Sequence, residues 1–212
     1  DRLAATYRHE VSPKGGSFSI RRFREEPFSI IDLIEMGTLN EEMAAYFWLL
    51  IENRMTIAVV GGTGAGKTST LNALASLVKP ARKIVTVEGI PEMNLHHENW
   101  VQLVSRESYG LGQFKSGEVT LFDLVKTSLR CRPDYIVVGE IRGEEAFVLF
   151  QALATGHGGL TTLHAENLSY TVKRLTSRPM NVAESYIPLL NVIPLVERVK
   201  LPISKKEGAT FG

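Results

Sequence analysis

The chain has 212 residues, 44% hydrophobic and 22% charged, with a formal net charge of +1. Those values fit a soluble globular domain with one sizeable core and exclude disordered and collagen-like classes. Near-neutral charge gives no argument for nucleic acid as the main partner. The single cysteine, Cys131, excludes an internal disulfide or a Cys-only metal site and suits a reducing, cytoplasmic compartment.

No stretch approaches the roughly 20 apolar residues needed to cross a bilayer, and Asp1-Arg2-Leu3 resembles neither a signal peptide nor an initiator. The chain therefore reads as a piece of a longer protein. Residues 1–26 read as two short strands, Leu3–Tyr7 and Ser17–Phe23, across the turn signal Pro13-Lys14-Gly15-Gly16. Two strands do not fold alone. They are either an edge hairpin on the main sheet or, preferred here, the last strands of a preceding domain, with Pro27 at the seam. The expected division is 1–27 as domain end and linker, 28–205 as the main domain and 206–212 as a tail.

From Phe28 the pattern turns helical, with Ile30, Ile31 and Ile34 on one face. Thr38 and Glu41 have capping-box spacing and open a second helix whose apolar face is read as Leu39, Met43, Tyr46, Phe47 and Leu50. Short apolar runs then alternate with amphipathic helices: Thr56–Val60, helix 66–78, Lys83–Glu88, helix 120–130, Tyr135–Gly139 and helix 143–155. Leu71, Leu74, Ala75 and Val78 recur at helical spacing, as do Ala146, Leu149, Phe150 and Leu153. Beyond them come a strand at Leu160–Leu163, a helix over 168–178 stopped by Pro179, a short helix over 183–190 and a terminal strand at Val192–Val199. The alternation predicts an α/β fold, a mainly parallel sheet covered by helices.

Gly61-Gly62-Thr63-Gly64-Ala65-Gly66-Lys67-Thr68 satisfies G-x-x-x-x-G-K-[ST] between a predicted strand and a predicted helix. Glycines let the backbone curl its N–H groups around a polyphosphate where side chains would obstruct it. The helix N-terminus adds unsatisfied donors and a dipole worth about half a charge, and Lys67 adds a full one. Gly62 to Ser69 are the expected nucleotide-binding residues, with the Thr68 hydroxyl on Mg²⁺. Downstream, Asp134-Tyr135-Ile136-Val137-Val138-Gly139-Glu140 is an apolar strand ending in a carboxylate, expected one strand away. Glu140 is the expected base that orients the attacking water, the structural alternative being a helix-capping acid.

These elements carry a resemblance. Gly61 to Thr68, Thr86-Val87-Glu88, Val138-Gly139-Glu140-Ile141-Arg142-Gly143 and Thr155-Gly156-His157-Gly158-Gly159-Leu160-Thr161-Thr162-Leu163-His164-Ala165 follow the order and spacing of the type II/IV secretion and type IV pilus ATPases, the GspE- and PilT-like superfamily. The likeness covers residues 28–178 and is strongest to the archaeal pilus and archaellum motors, where Glu98-Asn99-Trp100 and Arg132-Pro133-Asp134-Tyr135 also look similar.

The resemblance implies a RecA-like P-loop NTPase in three layers, hydrolysing ATP with Mg²⁺ in a hexameric ring. It further implies a cytoplasmic place at the inner face of the membrane, with a polytopic platform protein and pilin-like subunits as partners. It puts Glu88 in the acidic box, beside Mg²⁺ or the lytic water, and His157 and His164 in the His box near the nucleotide. It gives Arg106 and Arg130 phosphate contacts within the subunit or across the ring, and Arg21 or Arg22 a clamp on the nucleotide. The usual acidic box pairs Glu with Asp, whereas Glu88 is followed by Gly89 and the next acid is Glu92.

His96 and His97 beside Glu98 lack metal-site spacing and read as a surface loop, so zinc is not expected. Rival readings are a nucleic-acid translocating ATPase, disfavoured by charge, a small-molecule kinase, for which no lid segment stands out, and a binding-only switch, disfavoured by Glu140.

Overall fold

The computed structural model describes residues 2–6, 9, 13–106 and 117–199. Strands β1 (Arg2–Thr6) and β2 (Ser17–Arg21) pair antiparallel with each other and with no strand of the main sheet. The main sheet contains β3 (Ile57–Gly61), β4 (Ile84–Glu88), β5 (Trp100–Val104), β6 (Tyr135–Val138), β7 (Gly158–His164) and β8 (Leu195–Val196). Its order is β5-β4-β6-β7-β3-β8, with every pairing parallel.

The helices are α1 (Ile30–Glu35), α2 (Glu41–Glu52), α3 (Lys67–Ala75), α4 (Leu121–Arg130), α5 (Glu145–Ala154) and α6 (Leu168–Thr176), with a 3-10 helix at Glu184–Leu189. Successive strand residues face opposite sides of a sheet, and that alternation divides the core. Ile57, Val59, Tyr135 and Val137 pack with α1, α2 and α3 on one face. Val60, Ile136 and Val138 pack with α4, α5 and α6 on the other. The result is the expected three-layer α/β sandwich.

Several local expectations are corrected. The second helix is capped by Asn40, whose side chain accepts from Met43 N–H, and not by Thr38 with Glu41. Complete capping boxes occur at Ser29 with Asp32 and at Thr120 with Asp123. On α2 the buried residues are Phe47 and Ile51, while Met43 and Tyr46 face outward, because Phe47 and Ile51, one turn apart, centre the contact with the sheet layer. The terminal strand shrinks to Leu195–Val196 beside β3. Strand β5 was not anticipated: Gln102 breaks up its apolar run, and its burial is only partial along an edge.

The carboxylate strand β6 is separated from β3 by the single strand β7. With strands spaced about 4.8 Å apart, the gap is close to 10 Å. Contact between loop and carboxylate therefore depends on what leaves the strand ends.

A buried anchor and a half-buried one set the lower end of β6. The Tyr135 hydroxyl donates to Ile51 O at 2.7 Å, and burial raises its pKa. A Cβ at Gly158 would sit 2.6 Å from the Tyr135 ring, so β7 must begin with glycine to pass it. Asp134 accepts from Lys83 N–H at 2.9 Å and pairs with Arg82 and Arg54 at 2.9 and 2.8 Å. Burial opposes its ionisation, but the Lys83 N–H and the two guanidiniums outweigh burial and hold the carboxyl below its ordinary value.

A carboxylate with a depressed folded pKa stabilises the fold above its unfolded pKa, about 3.9 for Asp, and that contribution is lost as pH falls through the folded value. Unfolding free energy measured in urea should therefore drop on acidification below about pH 4. Asp134→Asn should be less stable at neutral pH and show a shallower acid limb. Superimposable acid limbs would remove this role from Asp134.

Candidate functional site

Parallel strands present all their carboxyl ends at one edge, and ligand sites of open α/β sheets form there. At that edge β3 ends in Gly61 and the chain crosses residues 62–66 into α3. A Cβ at Gly61 would lie 2.2 Å from Val196 O, so β8 seals the turn from behind and only glycine fits. Gly66 has φ 97° and caps α3 with no side-chain bond, so the first-turn N–H groups keep their capacity for an anion. Lys67 Nζ donates to Gly62 O at 2.6 Å, drawing the lysine across the mouth of the loop. Burial lowers the Lys67 pKa, partly offset by Glu140.

Glu140 follows β6 on a turn fixed from two sides. Thr162 Oγ1 donates to Gly139 O at 2.7 Å, and Ile141 N donates to Thr162 O at 3.0 Å, so β7 bridges the gap between loop and carboxylate. The buried Glu145 carboxylate accepts from Arg142 N–H at 2.6 Å and Gly143 N–H at 2.8 Å. The Glu140 carboxylate forms an ion pair with the Arg142 guanidinium.

Glu88 ends β4 and is buried. Its Oε1 accepts from Glu92 N–H and Met93 N–H, both at 2.9 Å, and its Oε2 accepts from Gln102 Nε2 at 3.0 Å. Burial raises its pKa against those three donors. With both oxygens engaged, Glu88 shapes the 89–93 segment and aims Glu92 into the site. Glu92 in turn pairs with Arg21 of β2 at 3.5 Å, tying the small sheet to the main one.

Two adjoining clefts, ≈530 and ≈460 Å³, share Thr68, Glu92, Glu140 and Arg142. The first adds Glu88 and Arg106; the second adds Thr63 to Ser69, Arg21, Thr162, His164 and Arg174. A third cavity of ≈180 Å³ lies beside α3 between Arg22, Phe28, Ser69 and Asn72. The hydroxyl of Thr68 and the nearby carboxylates are hard oxygen donors of the kind Mg²⁺ takes.

Most of the expected residues therefore converge. Gly62 contributes its carbonyl, Thr63 to Ser69 line the second cleft, and Glu140, Glu88, Arg106 and His164 lie around the pair. Arg106 is partly committed, its Nε donating to Gly117 O at 2.7 Å. Arg22 reaches only the third cavity, while Arg21 reaches the second as well.

One placement is corrected. His157 precedes β7, seven residues and about 20 Å of strand away from His164, and its Nδ1 lies 3.0 Å from Ala152 O at the end of α5. It closes a helix and does not reach the cleft. Arg130 is the exposed last residue of α4, where it complements the helix dipole, and it lines neither cleft. Residues the sequence left unassigned are Glu92, Arg142, Thr162 and Arg174. A carboxylate four residues past a strand end, and an arginine two past Glu140, were the available signals.

Residues 10–201 match the family model for the type II/IV secretion system protein. The chain belongs to the type II/IV secretion ATPase superfamily. It is 48% identical over 191 residues to an uncharacterized protein of Methanocaldococcus jannaschii, covering 90% of this chain and 34% of that protein. It is 34% identical over 140 residues to VirB11 of Agrobacterium fabrum, covering 65% and 39% respectively. Each of these relatives is thus much longer than the matched part.

Among solved structures, the VirB11 ATPase of the Brucella suis type IV secretion system, in complex with sulphate, superposes with a TM-score of 0.60 at 26% identity, covering 84% of this chain and 56% of that one. The pilus retraction motor PilT with bound ADP gives 0.59 at 22% identity, covering 89% and 55%, and supports the secretion-ATPase fold. No helix among the described residues of this superfamily member is long and apolar enough to cross a membrane.

The Glu88 geometry predicts a structural phenotype. Glu88→Ala leaves the Glu92 and Met93 N–H groups without an acceptor and should cost about 1–3 kcal/mol for each buried donor, measured by urea unfolding. Glu88→Gln keeps one acceptor and should cost less. Wild-type stability in Glu88→Ala would mean the carboxylate does not hold the 89–93 segment.

Proposed function

We propose that the chain is the motor core of an Mg²⁺-dependent ATPase that couples ATP hydrolysis to mechanical work in a type IV pilus, archaellum or type II/IV secretion machine. The observation that carries this reading is the convergence of Lys67, Thr68, Glu92, Glu140 and Arg142 on one pair of clefts at the N-terminus of α3. Family membership and the similarity to the VirB11 ATPase of a type IV secretion system support it.

Residues 62–69 bind the phosphates through backbone N–H groups and the Lys67 ammonium. Thr68, with Glu92 or Glu140, would hold Mg²⁺, and the ion would supply neutralisation of phosphate charge. Glu140 orients a water and accepts its proton as the water oxygen bonds to the γ-phosphorus and the bond to the β-phosphate oxygen breaks. Glu88 acts behind this site by positioning Glu92. His164 and Thr162 line the phosphate side. The third cavity, with Phe28 and the buried Asn72 amide, takes the nucleoside end.

Residues 1–27 belong to the end of a preceding domain, and Arg21, paired with Glu92, links that domain to hydrolysis so that phosphate loss changes the angle between them. Arg130, exposed on α4, is available to a neighbouring subunit in a hexameric ring. The ring works on the cytoplasmic face of the membrane, against a platform protein and pilin-like subunits.

Lys67→Ala should abolish tight nucleotide binding measured with a fluorescent ATP analogue. Glu140→Gln should keep binding and slow phosphate release by about 10² to 10⁴. Undiminished binding in Lys67→Ala would sink the phosphate-site assignment, and near-normal turnover in Glu140→Gln would transfer the base role to Glu92.

A further inference from the structure

Resting on the ATPase reading, we propose that Arg142 is a catalytic sensor of the terminal phosphate, which holds the Glu140 carboxylate until a triphosphate draws the guanidinium away and frees Glu140 for water.

The backbone of Arg142 is fixed: its N–H donates to the buried Glu145 carboxylate, and the flanking Ile141 N–H donates to Thr162 O. Its side chain is 70% exposed and lines both clefts beside Lys67 and Thr68, whereas the Glu140 side chain is 28% exposed. The anchored backbone and exposed side chain let the guanidinium exchange partners without moving the turn that carries Glu140.

The Glu140 oxygen that accepts from the guanidinium has one fewer lone pair open to a water. A γ-phosphate brought against Lys67 carries more negative charge than a single carboxylate and offers three oxygens, so it competes for the same fork. An arginine guanidinium stays charged in either position. A diphosphate lacks the terminal group and leaves the pair closed. The exchange thus links base release to the presence of a hydrolysable substrate.

The test is a double-mutant cycle read as affinity for β,γ-imido-ATP and for ADP in the 212-residue chain. Glu140→Gln removes the competing carboxylate charge and should tighten β,γ-imido-ATP on the order of tenfold, with a smaller change for ADP. Arg142→Gln should weaken β,γ-imido-ATP by a similar factor and ADP little. In the Glu140→Gln, Arg142→Gln pair the gain should vanish. Arg142→Lys keeps the charge without the fork and should fall between wild type and Arg142→Gln, with circular dichroism and thermal midpoints checking that each variant is folded.

An equal gain for ADP and the triphosphate, or the same gain in the Arg142→Gln background, overturns the inference, since removal of a negative charge alone would account for it. Lys67→Ala separates the two levels. If it binds like wild type, the ATPase reading fails; if it loses nucleotide while Arg142→Gln leaves the triphosphate-to-diphosphate ratio unchanged, only the sensor role fails.

Discussion

The shared carboxyl edge of β3, β7, β6 and β4 is the constraint on which everything else depends. Because these strands run parallel, Gly61, His164, Glu88 and the turn bearing Glu140 emerge on the same side. An antiparallel β7 would put Gly158 where His164 stands and leave Gly139 without the Thr162 hydroxyl. The intervening strand is therefore part of the site: it fills the gap between phosphate loop and carboxylate and pins the Glu140 turn through its own side chain and carbonyl.

Buried polar groups do much of the remaining shaping. Glu88 and Glu145 are carboxylates that ordinary burial would disfavour, yet each accepts two backbone N–H groups, and Glu88 also accepts from Gln102. Such groups can remain buried because their hydrogen-bonding capacity is met. Each fixes a loop: Glu88 sets the 89–93 segment and Glu145 the 140–143 turn. Glu92 and Glu140, which line both clefts, sit on segments held by Glu88 and Glu145.

Two ion pairs line the clefts. Arg21 faces Glu92 and Arg142 faces Glu140, while Lys67 rests on a carbonyl. Exposed pairs contribute little stability, so they cost little to exchange. One of the pairs, Arg21 with Glu92, reaches across to the N-terminal strands.

The amino-acid order alone determined the glycine-rich turn at 61–68 between a strand and a helix, since glycines, lysine and threonine at fixed spacing describe a local backbone shape. It also determined the alternation of apolar strands and amphipathic helices, and Glu140 as the acid at the end of an apolar run, because these are short-range patterns. Strand order was not legible: nothing in Gly158–His164 says that it inserts between β3 and β6, and His157 and His164, equally plausible in sequence, lie at opposite ends of one strand. Nor was the commitment of Glu88 visible, because its partners Met93 and Gln102 come from a loop and an edge strand with weak patterns. Those assignments depend on which surfaces meet after packing, and only the tertiary structure decides that.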